Sequence, residues 1–231
     1  MKTFKIRASE AGKIMGSPKK NELPVGAQTY LREWYIAEKY GRRMPVRTDQ
    51  MDKGIRCEEQ SISLLQLVEE NQILYKKNDK NLTNKWATGT PDLLTDEEVL
   101  DIKTAWTFDT FWKAEGVHTK SGMLTDYGWQ LMVYMWLTGL KHARLVYTLI
   151  NTPEDTLIGL ESAARWKFQG MDENPEYDVY CKQLRKMHVF DDIEVDERVR
   201  IWDLEYSEEH IEQLKARVEL LQEAAENFVL K

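Results

Sequence analysis

Apolar residues recur along this chain with two different periods, and the changes of period mark its elements. Over the first 70 residues the spacing is helical. Residues 7–16 predict a short helix begun by Ser9 as N-cap and stopped at Gly16; Ser9 equally suits a phosphate held at a helix N-terminus. Residues 17–27, with two prolines and a glycine, predict a loop. Residues 29–40 predict a helix with Leu31, Trp34, Tyr35 and Glu38 at helical spacing, ended by Gly41-Arg42-Arg43-Met44-Pro45. Residues 51–70 predict a long amphipathic helix burying Ile55, Ile62, Leu65 and either Leu64 or Val68.

The period then falls to two. Residues 73–76, 85–89, 92–95 and 99–103 predict short strands divided by Asn, Asp, Gly and Pro, and their short loops predict an antiparallel meander. Residues 108–114 predict a turn or two of helix. Residues 125–138 predict a strongly apolar helix closed by Gly139, and the strand expected at 143–151 can return to the sheet by a crossover. A helix is expected over 175–188 and one strand or two over 193–206. Ser207 opens the last helix, with Glu208 and Glu209 in its first turn and a stripe of Ile211, Leu214, Val218, Leu221 and Ala225. There is no internal repeat, low-complexity segment or dividing linker. The order predicts one α/β domain over 1–231, a mixed central sheet flanked by helices. Within it the reading places a basic helical part over 1–70, a core over 54–151 and a C-terminal helical extension over 160–231.

Composition narrows the class without naming a function. Of 231 residues, 42% are hydrophobic and 31% charged, which describes a soluble globular chain large enough to need no disulfide or metal to fold. No run approaches the roughly 18 apolar residues of a membrane span, and the first residues lack the apolar centre of a signal peptide. Cys57 and Cys181 lie in unrelated contexts, which argues against a disulfide framework or zinc cluster and for a reducing cytoplasm. The net charge of −7 is unevenly spread: residues 1–56 carry 13 Lys/Arg against 6 Asp/Glu, and residues 191–231 carry 5 against 13. The basic quarter is either a phosphate-facing surface or a solvated helix face.

The candidate chemistry lies between Gly89 and Lys103. Period 2 along residues 99–103 puts Asp101 and Lys103 on one face and Leu100 and Ile102 on the other, and Asp92 stands a turn away. Two carboxylates suit a divalent cation, which prefers hard oxygen ligands, and an adjacent lysine can orient a water or offset developing negative charge. Those are the needs of phosphodiester hydrolysis. His118, His142, His188 and His210 sit in no ligand spacing, and the tryptophans of 129–136 read as core. Trp106, Phe108, Phe111 and Trp112 read first as core and second as a stacking or strand-separating wedge.

Pro91-Asp92, eight residues, then Asp101-Ile102-Lys103 resembles the PD-(D/E)xK nuclease motif. Gly54-Ile-Arg-Cys-Glu58 resembles the Gly-x-x-x-Glu element of that superfamily, and Tyr127-Gly-Trp-Gln130 its Tyr-x-x-Gln helix. Ile6-Arg7-Ala8-Ser9-Glu10 resembles the opening of the lambda-exonuclease (YqaJ-like) branch, a relative of RecB-type nuclease domains. The resemblance implies a restriction-endonuclease-like core and a Mg²⁺-dependent DNA exonuclease of phage recombination or DNA repair, with Mn²⁺ as substitute. It implies Asp92, Asp101, the Ile102 carbonyl and Glu58 as metal ligands, Lys103 on the attacking water, and Gln130 orienting Lys103 or that water. It implies Ser9, Arg7 and Tyr127 against DNA, an action on duplex ends from 5′ to 3′, and a single-strand annealing protein as partner. A homotrimeric ring and a location in the cytoplasm of a bacterial host follow from it too. Asp101 stands where Glu is commoner in that branch, Lys2 or Arg7 stands in for an arginine expected before Ser9, and two cysteines cannot hold an iron–sulfur cluster. The rival readings are a structure-specific or restriction-like endonuclease on the same site, and a non-catalytic DNA-binding or interaction protein.

Overall fold

The structure is a computed structural model that describes residues 2–16, 23–43, 46–69, 74–168 and 174–228. Residues 17–22 of the expected loop, the stop at Met44-Pro45, and Glu70 and Ile73 at the ends of expected elements lie outside them. Buried Ile6 anchors the first strand, β1 (Ile6–Arg7), which runs through a 3-10 turn at Ala8–Glu10 into the short helix α1 (Ala11–Met15). Ser9 therefore lies inside a turn and caps nothing, contrary to the sequence reading. Arg7 is still extended at φ −80°, ψ 138°, because it pairs with a later strand, so the chain bends one residue before Ser9. Helix α2 (Val25–Tyr40) begins directly after Pro24 and ends at Gly41, whose φ of 63° suits glycine. It opens earlier than expected, since Pro24 and Gly26 sit at its start, where they are tolerated, and do not prolong the loop.

Helix α3 (Asp49–Glu69) buries Lys53, Cys57, Ser61, Ile62 and Leu65. Ile55, expected on that stripe, is exposed. Lys53 takes the inward position, with its stem buried and its Nζ donating to the Trp106 carbonyl at 3.1 Å.

The expected meander divides between two sheets. β2 (Leu82–Thr83), which the sequence reading missed, pairs antiparallel with β3 (Ala87–Gly89), and β3 pairs parallel with β1, giving the order β1-β3-β2. The second hairpin is β4 (Leu93–Leu94) and β5 (Glu98–Thr104). Between them Pro91 has no N–H to give a ladder, and the Asn78 side chain donates instead to the Pro91 carbonyl at 2.8 Å. The strand expected at 73–76 is absent from residues 74–76; an isolated bridge joins Lys77 to Leu93.

After helices α4 (Phe108–Lys113) and α5 (Asp126–Thr138), β6 (His142–Thr148) returns parallel to β5, the crossover the sequence suggested. Helix α6 (Glu154–Arg165), not expected as a separate element, opens behind Pro153 with Glu154 and Asp155 in its first turn. Helix α7 (Pro175–His188) is capped by Asn174. One strand, β7 (Val199–Glu205), follows a 3-10 turn at Asp196–Arg198 and completes the order β4-β5-β6-β7. Ser207 caps α8 (Glu208–Glu226) as expected.

The four-stranded sheet is covered on both faces. Val99 and Leu145 pack with α5 and with Ile211, Leu214, Val218 and Leu221 of α8. Leu100, Ile102 and Val146 pack on the other face against Ile62 and Leu65 of α3. Full burial of each such aliphatic side chain stabilises by about 1.5–3 kcal/mol. Arg144 on β6 ties α3 to the sheet through Glu69 and Glu98, with an Nη2–Oε1 contact of 2.5 Å to the latter. Among the described residues no helix is long and apolar enough to cross a membrane. The mixed sheet and its helical layers are the α/β architecture expected of a restriction-endonuclease-like core.

Candidate active site

The hairpin of β4 and β5 sets the carboxylates. Leu93 pairs with Leu100, so the register carried one residue further puts Asp92 opposite Asp101. The hairpin is pinned there by the Ile102 N–H, which donates to Asp92 Oδ2 at 2.7 Å. Alternation then works as the sequence implied: Leu100 and Ile102 enter the α3 layer, while Asp101 and Lys103 face α5.

On α5, Gln130 is almost wholly buried, and its Nε2 donates to Asp101 Oδ1 and to Tyr134 Oη, each at 2.9 Å. Sequence reasoning placed Gln130 against Lys103 or the water; the structure places it against Asp101. The second oxygen of Asp101 lies 2.6 Å from Lys103 Nζ as an ion pair, without hydrogen-bond alignment. The Lys103 ammonium also sits 5.3 Å from the centre of the Tyr127 ring. Gly89 makes this packing possible: a Cβ there would lie 2.7 Å from Tyr134 Cε1 and 2.8 Å from Ala8 Cβ.

Burial, reinforced by the charge of Asp101, pushes the Asp92 carboxyl up to about 7. Burial pulls Lys103 down, but Asp101 and Asp92 outweigh it and hold the ammonium above its ordinary range. Burial and then the Asp101 charge raise the Tyr134 phenol. The site is thus a pair of crowded carboxylates with one protonated lysine, an electrostatic arrangement that a divalent cation would relieve.

Glu58 is placed differently. It projects from α3, the layer on the far face of β5, and its Oε2 accepts from Lys77 Nζ at 2.8 Å. Its charge still reaches Asp92. With Glu58 so engaged, no three His, Cys, Asp or Glu side chains among the described residues are gathered as a ready metal cluster. Asp92 and Asp101 provide hard oxygen donors on one side of the hairpin, and that donor set fits Mg²⁺, which keeps several waters and takes one or two carboxylates.

A cavity of about 400 Å³ opens on the α5 side, lined by Ser9, Asp126, Tyr127, Gln130, Leu145 and Tyr147 among others; it adjoins the carboxylates through Gln130. Ser9 thus shares a cavity with Gln130 and Tyr127 although it caps nothing. Arg7 is exposed one residue before the 3-10 turn. Tyr134, Tyr147 and Lys77 were not singled out from sequence. The four-residue spacing of Gln130 and Tyr134 on one helix could have found the first; nothing local in the sequence signals the other two. Of the aromatic residues after β5, Phe111 is core, Trp106 packs edge-on to His188, and Trp112 is 53% exposed.

No protein-family model and no curated protein sequence matches the chain. Solved structures do. A phage-related exonuclease from Haemophilus somnus superposes with a TM-score of 0.74 at 20% identity, covering 98% of this chain and 95% of its own. An alkaline exonuclease (LHK-Exo) from Laribacter hongkongensis superposes with a TM-score of 0.63 at 14% identity, covering 96% and 88%. The same protein in complex with dAMP gives 0.61 at 15% identity. The chain has the fold of these phage-related and alkaline exonucleases.

Proposed function

We propose that the chain is a divalent-cation-dependent deoxyribonuclease, an exonuclease that hydrolyses phosphodiester bonds at duplex DNA ends. The observation that carries this is the pairing of Asp92 and Asp101 across one hairpin, with Lys103 ion-paired to Asp101 and Gln130 bonded to it. The exonucleases that share the fold favour end-directed action over the endonuclease reading, and the complex of one of them with dAMP supports a deoxynucleotide as ligand.

In this proposal Asp92, Asp101 and the Ile102 carbonyl hold Mg²⁺, or Mn²⁺ in its place, and Glu58 contributes after release from Lys77. The cation, when bound, neutralises phosphate charge and lowers the pKa of water. Gln130 fixes the Asp101 carboxylate through one N–H and leaves its other oxygen toward Lys103. Lys103, protonated between the two aspartates, offers a positive charge to the phosphate oxygens and orients the attacking water. Tyr127 flanks that ammonium, and in the proposal Ser9, which lines the adjoining cavity, and the exposed Arg7 meet the entering strand end. Polarity from 5′ to 3′, processivity through a trimeric ring and delivery of the product strand to an annealing protein belong to the same proposal.

Linear and covalently closed circular duplex, each incubated with Mg²⁺ or EDTA, test it. Degradation of the linear form alone is expected, lost in EDTA and in Asp92→Ala. Nicking of the circle would transfer the site to the endonuclease reading. Binding without cleavage under Mg²⁺ and Mn²⁺ would leave the non-catalytic one. End-labelled strands report polarity.

A further inference from the structure

We infer that Arg200 and Trp112 form a subsite for an unpaired nucleotide of the DNA strand that leaves the carboxylate site. Its location rests on the nuclease reading; its test does not.

The sheet builds a row that no local stretch of sequence contains. Lys103 on β5 pairs with Tyr147 on β6, and Tyr147 pairs with Arg200 on β7. Residues directly opposite one another share a face, and neighbouring strands lie about 4.8 Å apart, so the Arg200 backbone stands roughly 10 Å from that of Lys103. The parallel row beside it reads Asp101, Leu145 and Trp202. The cavity that meets Gln130 and Ser9 is lined by Leu145 and Tyr147 of these same rows. The Tyr147 ring continues the surface outward, 6.3 Å from Phe111 and 6.4 Å from both Tyr127 and Trp202.

Arg200 ends the row, half-buried, and is fixed in place. Its Nη1 donates to the carbonyls of Phe111 at 2.6 Å and Trp112 at 3.2 Å. Its guanidinium lies 4.5 Å from the Trp202 ring centre and 5.8 Å from those of Phe111 and Trp112. Among the described residues no Asp or Glu pairs with it. Bonds to the last carbonyls of α4 explain why a cation is held there. They do not explain why Trp112, packed edge-on against Phe111 at 5.2 Å, leaves 53% of its surface open next to that cation. An exposed indole beside a guanidinium without a carboxylate is complementary to a nucleotide outside a duplex. The base has a π face for Trp112, and its phosphate is an anion for Arg200. A paired base hides that face, so the subsite selects unpaired strand.

Binding measured by fluorescence anisotropy in EDTA tests this on the full chain, with a blunt duplex and with duplexes bearing about six unpaired nucleotides at the 5′ or the 3′ end. The wild-type chain is expected to prefer one overhang to the blunt end. Trp112→Ala is expected to weaken overhang binding about tenfold and to leave blunt-end binding unchanged, with Trp112→Phe retaining most of the affinity. Trp112 also packs on Phe108 and Phe111, so thermal melts of both variants accompany the binding curves and show that the fold is kept. Equal overhang affinities for wild type and Trp112→Ala, or no overhang preference in the wild type, would overturn the subsite. Cleavage of linear duplex under Mg²⁺ reports separately on the nuclease reading. Absent cleavage with Trp112-dependent overhang binding removes the nuclease and keeps the subsite; cleavage with Trp112-independent binding does the reverse.

Discussion

A carboxyl group squeezed between burial and a second carboxylate ionises late, and Asp92 is in that position. In a metal-free chain the folded state keeps a proton on Asp92 up to about pH 7, whereas an unfolded aspartate loses it near 4. The folded state thus binds the extra proton across that window, so its stabilising contribution is present at low pH and is lost as pH rises toward 7. Asp92→Asn carries no charge at any pH and is expected to flatten this fall. Urea midpoints recorded in EDTA from pH 4 to 8 would show it as a shallower slope in the variant, and Mg²⁺ should raise the wild-type midpoint most near neutrality. Parallel curves for the two proteins would remove the crowded-carboxylate account. At this scale much of the site was legible. Asp92, Asp101 and Lys103 declared themselves by residue type and alternation, and Gln130 by being an amide in an apolar helix. The partner of Gln130 was not legible, because Asp101 and Lys103 share a face and only packing decides which of them the amide meets.

Elements were readable where one period persisted. The stripe of α8 and the limits of α7 stand as the spacing indicated, since a buried stripe and a Ser or Asn cap are local facts. Short elements were read less well. β2 has two residues, too few to show alternation, and the Ile55 position was outcompeted by a lysine whose amine found a carbonyl. Gly89 tests how tightly the elements around the site are fitted. Gly89→Ala would drive a methyl group against the Tyr134 ring and the Ala8 methyl, between β3, α5 and the 3-10 turn. Overpacking of this kind costs about 1–3 kcal/mol. The variant is expected to lose that much unfolding free energy and so to melt at a lower temperature in calorimetry, and an unchanged melting temperature would mean that Tyr134 can yield. Since Tyr134 also receives the Gln130 amide, slower cleavage should accompany the loss.

For the molecule as a whole, the two charge extremes of the sequence meet. Helix α8, from the acidic end, packs with α1, α2 and α5 through apolar side chains, while Lys13, Arg32 and Lys39 of α1 and α2 stay exposed. Some cations of that quarter are engaged locally, Arg56 with Asp155 at 2.8 Å and Lys13 with Glu10 at 2.5 Å. The phosphate-facing reading of residues 1–56 accordingly rests on the exposed cations without such a close partner, Arg7, Arg32, Arg42 and Arg43 among them. Such a modest basic surface grips an end weakly by itself, and encirclement by a ring would supply the missing persistence. Light scattering at working concentration is expected to give the mass of three chains; the mass of one chain, 27.2 kDa, would dispose of the ring and leave the exonuclease proposal standing.

The sequence by itself determined the periods of the longer elements, the buried stripe of α8, and which acidic and basic side chains share the β5 face. Tertiary structure decided which strand lies beside which. That Glu58 turns to Lys77 across the sheet from Asp101, that the meander splits into two sheets, and that Lys103, Tyr147 and Arg200 form one row all depend on pairings between distant segments. Local spacing encodes a side chain's face through backbone geometry, but the neighbour it meets there is set by loop closure and core packing. The hairpin from Gly89 to Lys103 was visible in the chain. The surface that would lead a strand away from it exists only once β7 has docked.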